Sequence, residues 1–154
     1  MTENAGLRGR IVVGVDGTSA SAAAVRWAVG EARLRQASVH LVFAYDRERD
    51  SHAPYAARLE PQPDEGRAAR MALLAAERRA RKALPPRRLS AELANGSPSK
   101  VLIDRSAGAE LLVLGSAYPQ DWSAGQALAP MGPVARACLH SAACPVVVVV
   151  PTAP

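Results

Sequence analysis

The sequence predicts one α/β domain spanning residues 1–154, with a mostly parallel five-stranded sheet. Three observations carry this. Five short strand-like runs, apolar throughout or alternating with polar residues, recur along the chain. Stretches with helical apolar spacing lie between them, and Gly, Pro, Asp and Ser punctuate the joins. The resulting β-α-β-α-β-α-β-α-β order implies parallel strands joined by right-handed crossovers.

Residues 1–9 read as a flexible N-terminus. The run from Arg10 to Val15 contains IVVGV and is bounded by Asp16-Gly17, as expected of a strand buried on both faces. Thr18 or Ser19 can cap the following helix. Ala22, Val25, Val29 and Ala32 recur there at helical spacing, with Arg26, Arg33 and Arg35 off the stripe. Ser38 to Tyr45, SVHLVFAY, is the second strand. Residues 46–63 are polar, contain Pro54, Pro61 and Pro63, and form a long loop.

A helix is predicted from Asp64 to Leu84. Leu73, Ala76, Ala80 and Ala83 share its apolar face, and Glu77 can pair with Arg81 one turn on. Pro85-Pro86 stops it. Leu89, Ala91 and Leu93 alternate with polar neighbours as a third strand, and Asn95-Gly96 turns the chain. Ser97-Pro98 reads as an N-cap followed by proline at the first helical position. That helix ends near Ala107-Gly108. Glu110 to Ser116 is the fourth strand, and residues 117–131 form an irregular loop. A short helix from about Gly132 to Ser141 leads to Pro145 and a fifth strand, Val146 to Val150.

Composition narrows the function classes. No apolar run approaches the roughly 20 residues of a membrane span. The N-terminal residues carry no signal-peptide pattern, so the expected compartment is the cytoplasm. The two cysteines, Cys138 and Cys144, are too few for a disulfide framework and read as small apolar side chains. A net charge of +5 invites a nucleic-acid reading. Against it, the arginines are spread over helical faces and aromatics make up only 4%. His40, His52 and His140 lack metal-ligand spacing, so no metal site is expected from them. The chain has no GxxxxGK, GxGxxG or GxSxG motif, and no catalytic set stands out.

Open α/β sheets bind ligands beyond the carboxyl ends of the strands, where strand order reverses. Two segments qualify: Gly14-Val15-Asp16-Gly17, and Gly115-Ser116 with the loop leading to Gly132. The helix beginning near Gly132 offers free N–H groups, suited to phosphate.

At these residues the chain resembles the universal stress protein family. GVDGTSAS, AVRWAVGEARLRQASVHLVFAY, GSPSKVLIDRSAGAELLVLGS and GPVARACLHSAACPVVVV follow that family in order. The resemblance implies an adenine nucleotide alpha hydrolase-like fold, strand order 3-2-1-4-5, helices on both faces, and adjacent strands one and four. It also implies a nucleotide site: Gly14, Val15 and Asp16, with Asp16 near the ribose or a Mg ion; Ala44 beside the adenine; and Gly115, Ser116, Gly132, Val134 and Ala135 around phosphate.

The fourth loop departs from the family's ATP pattern of Gly, two residues, Gly, nine residues, Gly, then Ser or Thr. Tyr118 stands where the second glycine belongs. Gly132 follows Gly115 by 17 positions instead of 13. Pro133 and Ala135 replace hydroxyl residues. Pro133 removes one N–H and one hydroxyl, each worth roughly 1.5–3 kcal/mol toward a charged ligand. That predicts phosphate binding weakened by about tenfold to several-thousandfold.

Each residue also has a plainer reading. Asp16 can shape a turn, Gly115 can end a strand, Gly132 can start a helix, and Tyr118 and Trp122 can pack the loop onto the body. The resemblance further implies a homodimer through Val146, Val147, Val148, Val149 and Val150. The expected function is a nucleotide-responsive stress module binding ATP with Mg, and not an enzyme. One alternative is a family member acting through protein partners without nucleotide; another is a slow ATP hydrolase, for which Asp16 and Arg136 are the candidate residues.

Overall fold

The five strand-like runs pair side by side in a single sheet of order β3-β2-β1-β4-β5 in a computed structural model that describes residues 9–46, 65–116 and 131–151. The strands are β1 (Arg10–Gly14), β2 (Ser38–Tyr45), β3 (Leu89–Asn95), β4 (Leu111–Gly115) and β5 (Val146–Val149). The helices are α1 (Ser19–Arg35), α2 (Glu65–Arg81), α3 (Pro98–Ser106) and α4 (Pro133–Ser141). All four strand pairings are parallel. The registers Val12↔His40 and Val12↔Leu112 make β1 the centre.

The run IVV is continuous because β1 is buried on both faces. Ile11 and Val13 join Ala24, Ala28 and Ala32 of α1 and Leu73, Ala76 and Ala80 of α2 in one core. Val12 points the other way, into a second core with Leu102 of α3 and Ala135 and Cys138 of α4. Side chains alternate across a strand, so a central parallel strand must be apolar at every position. The helices therefore cover the sheet in pairs, α1 with α2 and α3 with α4.

Several sequence expectations shift by a residue or a face. Thr18, not Ser19, is the N-cap of α1: its Oγ1 accepts from the Ser21 N–H at 3.2 Å. The buried stripe of α1 runs through Ala20, Ala24, Val25, Ala28, Val29 and Ala32, and Ala22 is only partly buried. On α2 the stripe includes Ala69, Leu73, Ala76 and Ala80, while Ala83 is exposed and Leu84 buried past the helix end. Glu77 and Arg81 pair at 2.8 Å. β1 stops at Gly14, β4 starts at Leu111, and Val150 lies outside β5. The loop readings over 47–64 and 117–130, and the N-terminal reading over 1–8, lie outside the described residues.

Two devices close the C-terminal end of α1. Gln36 adopts a left-handed conformation (φ 55°, ψ 37°), and its N–H donates to Ala32 O. Arg88, in the short 3-10 turn Pro86–Arg88, reaches the same end. Its guanidinium donates to Ala37 O from Nε at 3.0 Å and from Nη2 at 2.9 Å, and also to Ala32 O. A side chain in the left-handed region is strained, whereas glycine is not. Gln36→Gly is therefore expected to stabilise the chain by about 0.5–1 kcal/mol, raising the thermal midpoint by about 1–4 °C; a thermal melt checks this.

Candidate functional site

Strand order reverses between β1 and β4, and the ends of these two strands open onto a cavity of about 300 Å³. Gly14, Val15 and Asp16 line it from β1 and the turn that follows. Val42 and Ala44 contribute from β2, Leu114 and Gly115 from β4, and Ser21 from the first turn of α1. Pro98 and Leu102 of α3, with Val134 and Ala135 of α4, complete the wall. The volume is at the lower end of the roughly 300–1,000 Å³ of small-molecule pockets.

Local chemistry explains the shape. Asp16 Oδ1 accepts from the Thr18 N–H at 2.9 Å and from Thr18 Oγ1 at 2.5 Å. Gly17 supplies the positive φ of 83° that this turn requires. The turn-shaping role of Asp16 is thus realised, and Asp16, exposed, is also one of the cavity-lining residues. Ser21 Oγ is tied into the same turn, donating to Thr18 O at 3.2 Å.

The two glycines in the wall act differently. A Cβ at Gly115 would overlap Ala20 O and lie 2.7 Å from Ser21 N, both backbone atoms of α1. Gly115 therefore lets α1 seat directly on the end of β4. A Cβ at Gly14 would meet the side chains of Leu114 at 2.7 Å and Leu102 at 3.1 Å, which are themselves cavity walls. Its absence leaves room there.

Seven residues named from the sequence come together in the lining: Gly14, Val15, Asp16, Ala44, Gly115, Val134 and Ala135. Ser116 and Gly132 do not line it. Ser116 is buried, and its N–H donates to Val149 O at 3.0 Å, joining β4 to β5. Gly132 is the exposed N-cap of α4, and a Cβ there would meet nothing within 4 Å. Tyr118 and Trp122 lie outside the described residues.

Sequence reasoning does not assign Ser21, Val42, Pro98, Leu102 or Leu114 to the site. Val42 sits two residues before Ala44 on the same strand face, so strand periodicity held its signal, whereas Leu114 faces the other way from its neighbour Gly115. Pro98 and Leu102 come from the α3 wall, which is brought over the cavity by the crossover from β3 to β4.

Asp16 is the single charged side chain among the lining residues, so a bound anion must look to backbone donors. The first N–H groups of a helix have no intrahelical partner and sit at its positive end. In α4 Pro133 occupies the first position and has no N–H, leaving those of Val134 and Ala135 beside the cavity. Among the described residues no three His, Cys, Asp or Glu side chains gather as a metal site, and no helix is long and apolar enough to cross a membrane.

The architecture and sequence match known proteins. The solved structure of a universal stress protein in complex with cAMP superimposes with a TM-score of 0.63, at 24% identity, over 95% of this chain and 99% of that one. UspA from Lactobacillus plantarum gives 0.62 at 22% identity, over 93% and 98%. An Arabidopsis thaliana family protein with AMP bound gives 0.61 at 16% identity, over 95% and 94%. Among curated sequences, universal stress protein Rv3134c of Mycobacterium tuberculosis is 34% identical over 145 residues, 92% of this chain and 48% of that protein. Rv2028c of the same organism is 30% identical over 141 residues, with the same coverage. The chain spans about half the length of these curated relatives. The model of the universal stress protein family matches residues 8–150, nearly the whole sequence, and the chain belongs to that family.

Proposed function

We propose that this chain is a cytoplasmic, adenine-nucleotide-binding regulatory module of the stress response, and not an enzyme. The observation that carries the reading is the cavity at the β1/β4 switch point, walled by apolar groups on one side and a helix N-terminus on the other. Solved structures of relatives hold cAMP, dAMP and AMP, which supports the same ligand class here.

The residues fit an adenine nucleotide in size and chemistry. Val42 and Ala44 offer a flat apolar wall and backbone groups to the base. Asp16 can accept from a ribose hydroxyl or hold Mg. The Val134 and Ala135 N–H groups meet the phosphate, Gly14 keeps the floor free of a side chain, and Gly115 lets α1 seat against the end of β4. Ser116 and Gly132 act one step back, as the β4–β5 link and the cap of α4. Edge strand β5, with Val146 to Val149 half-buried and followed by Val150, is the surface for a homodimer, since an unpaired edge favours strand pairing.

One observation favours a second reading. Pro133 brings neither an N–H nor a hydroxyl to the start of α4, which weakens the phosphate end and suits a member working through protein partners. Calorimetric titration with ATP and Mg, and separately with AMP, distinguishes the two. Binding at micromolar strength is expected, reduced at least about tenfold in Asp16→Asn, which keeps the turn's acceptor while removing the charge. No heat and no thermal shift with either nucleotide at millimolar concentration would overturn the nucleotide reading.

A further inference from the structure

A polar cluster sits on β2 and β3, displaced from the cavity toward the start of these strands, on the face shared by α3 and α4. His40 is the third residue of β2 and is in register with Ser90 of β3. Its Nδ1 lies 2.7 Å from Ser90 Oγ, and its Nε2 lies 3.0 Å from Glu92 Oε2. Glu92 is held in turn by the Arg105 guanidinium of α3, with Nε at 2.9 Å from Oε2 and Nη2 at 2.8 Å from Oε1. From His40 to Val42, the first cavity-lining residue of β2, the strand advances about 6.6 Å, and the cluster and the cavity have no residue in common.

The hydrogen bonds determine which atom holds which proton. Arg105, ahead of His40, pulls the Glu92 carboxyl down to about 2, so near neutral pH it is an acceptor only. Nε2 of His40 must then donate to it. In the neutral imidazole this leaves the lone pair on Nδ1, and the partner of that lone pair is the Ser90 hydroxyl. A hydroxyl donating to an imidazole whose far nitrogen is anchored by a carboxylate has the connectivity that activates a serine, here with the two ring nitrogens exchanged relative to the Ser-His-Asp triad. Accessibility follows the same order: Ser90 is exposed, while the His40 side chain behind it is 18% exposed.

We propose that Ser90 is a nucleophilic acyl-acceptor site, with His40 as its general base and Glu92 as the positioning residue. Its substrate class is an activated acyl donor, an ester or thioester with a good leaving group. Ser90 Oγ attacks the carbonyl carbon as its proton passes to His40 Nδ1. The tetrahedral intermediate collapses, the bond to the leaving group breaks, and that group departs with the proton from Nδ1. The product is acyl-Ser90 with the imidazole neutral again, and no oxidant or further reactant is needed. Arg105 contributes by keeping Glu92 ionised.

The test uses the full chain and p-nitrophenyl acetate, with release of p-nitrophenolate followed by absorbance and the modified residue located by mass spectrometry. One acetyl group per chain is expected at Ser90, formed faster than at the exposed Ser19 and Ser141. Ser90→Ala should abolish this labelling. His40→Gln, which keeps a polar side chain but no base, should slow it by about 100-fold. Thermal melts of both variants separate loss of reactivity from loss of fold, and Glu92→Gln should slow acylation while leaving Ser90 in place. Acetylation of Ser90 no faster than of Ser19, or a rate unchanged in a folded His40→Gln, would overturn the proposal. Failure of nucleotide binding would leave it standing, since neither site shares a residue with the other.

Discussion

Gly115→Ala is expected to destabilise the chain by about 3 kcal/mol. The added Cβ would overlap the carbonyl of Ala20 and stand 2.7 Å from Ser21 N. These are backbone atoms at the start of α1, so no side-chain rotation relieves the clash. The helix cannot lift off easily, because Ala24, Ala28 and Ala32 below it are fully buried against the sheet. Gly115 cannot retreat freely either, since it pairs with Val149 and the next N–H bonds Val149 O. At about 2–4 °C per kcal/mol, the thermal midpoint should fall by about 6–12 °C. Gly132→Ala is the matched control. Its φ of −61° suits any residue and nothing lies within 4 Å of the added carbon, so a change of about 0.5 kcal/mol is expected. Comparable losses from the two variants would mean that α1 does not seat on β4 as described.

Arg88→Ala is expected to cost about 2 kcal/mol. The side chain donates twice to Ala37 O and once to Ala32 O, both in fully buried residues. Ala32 O keeps the Ala37 N–H at 3.0 Å after the change, so the loss falls mainly on Ala37. Hydrogen bonds from a charged donor are worth roughly 1.5–3 kcal/mol, and the half-buried position keeps water from replacing them fully. Arg88→Lys should recover less than half, because one ammonium cannot span two carbonyls as the planar fork does. Urea unfolding of the three forms checks the ranking; equal midpoints for the parent chain and Arg88→Ala would show that the backbone alone closes α1.

Much of the site was legible in the chain. Asp16-Gly17 after an apolar run signals a strand-to-helix turn, and Gly115 after LLVL signals the end of a second strand. The switch-point rule joins such ends once strands one and four are neighbours. That adjacency is implied by the family resemblance and not by the spacing, because nothing local in β1 or β4 names its partner. The Val134 and Ala135 positions follow from the start of α4. Ser90, His40 and Glu92 carry no signal of association: His40 is separated from its two partners by 50 residues and more, and each taken alone looks like an ordinary polar position on a half-covered strand.

Local sequence, then, determined the elements, their order and their class. Apolar periodicity, turn residues and proline act over a few bonds and need no distant partner. Even so, the spacing puts Ala22 on the buried face of α1 in place of Ala20, Ala24 and Ala28, because in a helix so rich in alanine the apolar stripe has no sharp edge. Tertiary structure alone decided which small residues meet backbone, as at Gly115 and Ala20, and which polar groups meet each other, as at His40 and Ser90. Those outcomes depend on strand register and helix docking. A shift of one residue in a strand exchanges its two faces, so register is settled only when both cores close around the sheet.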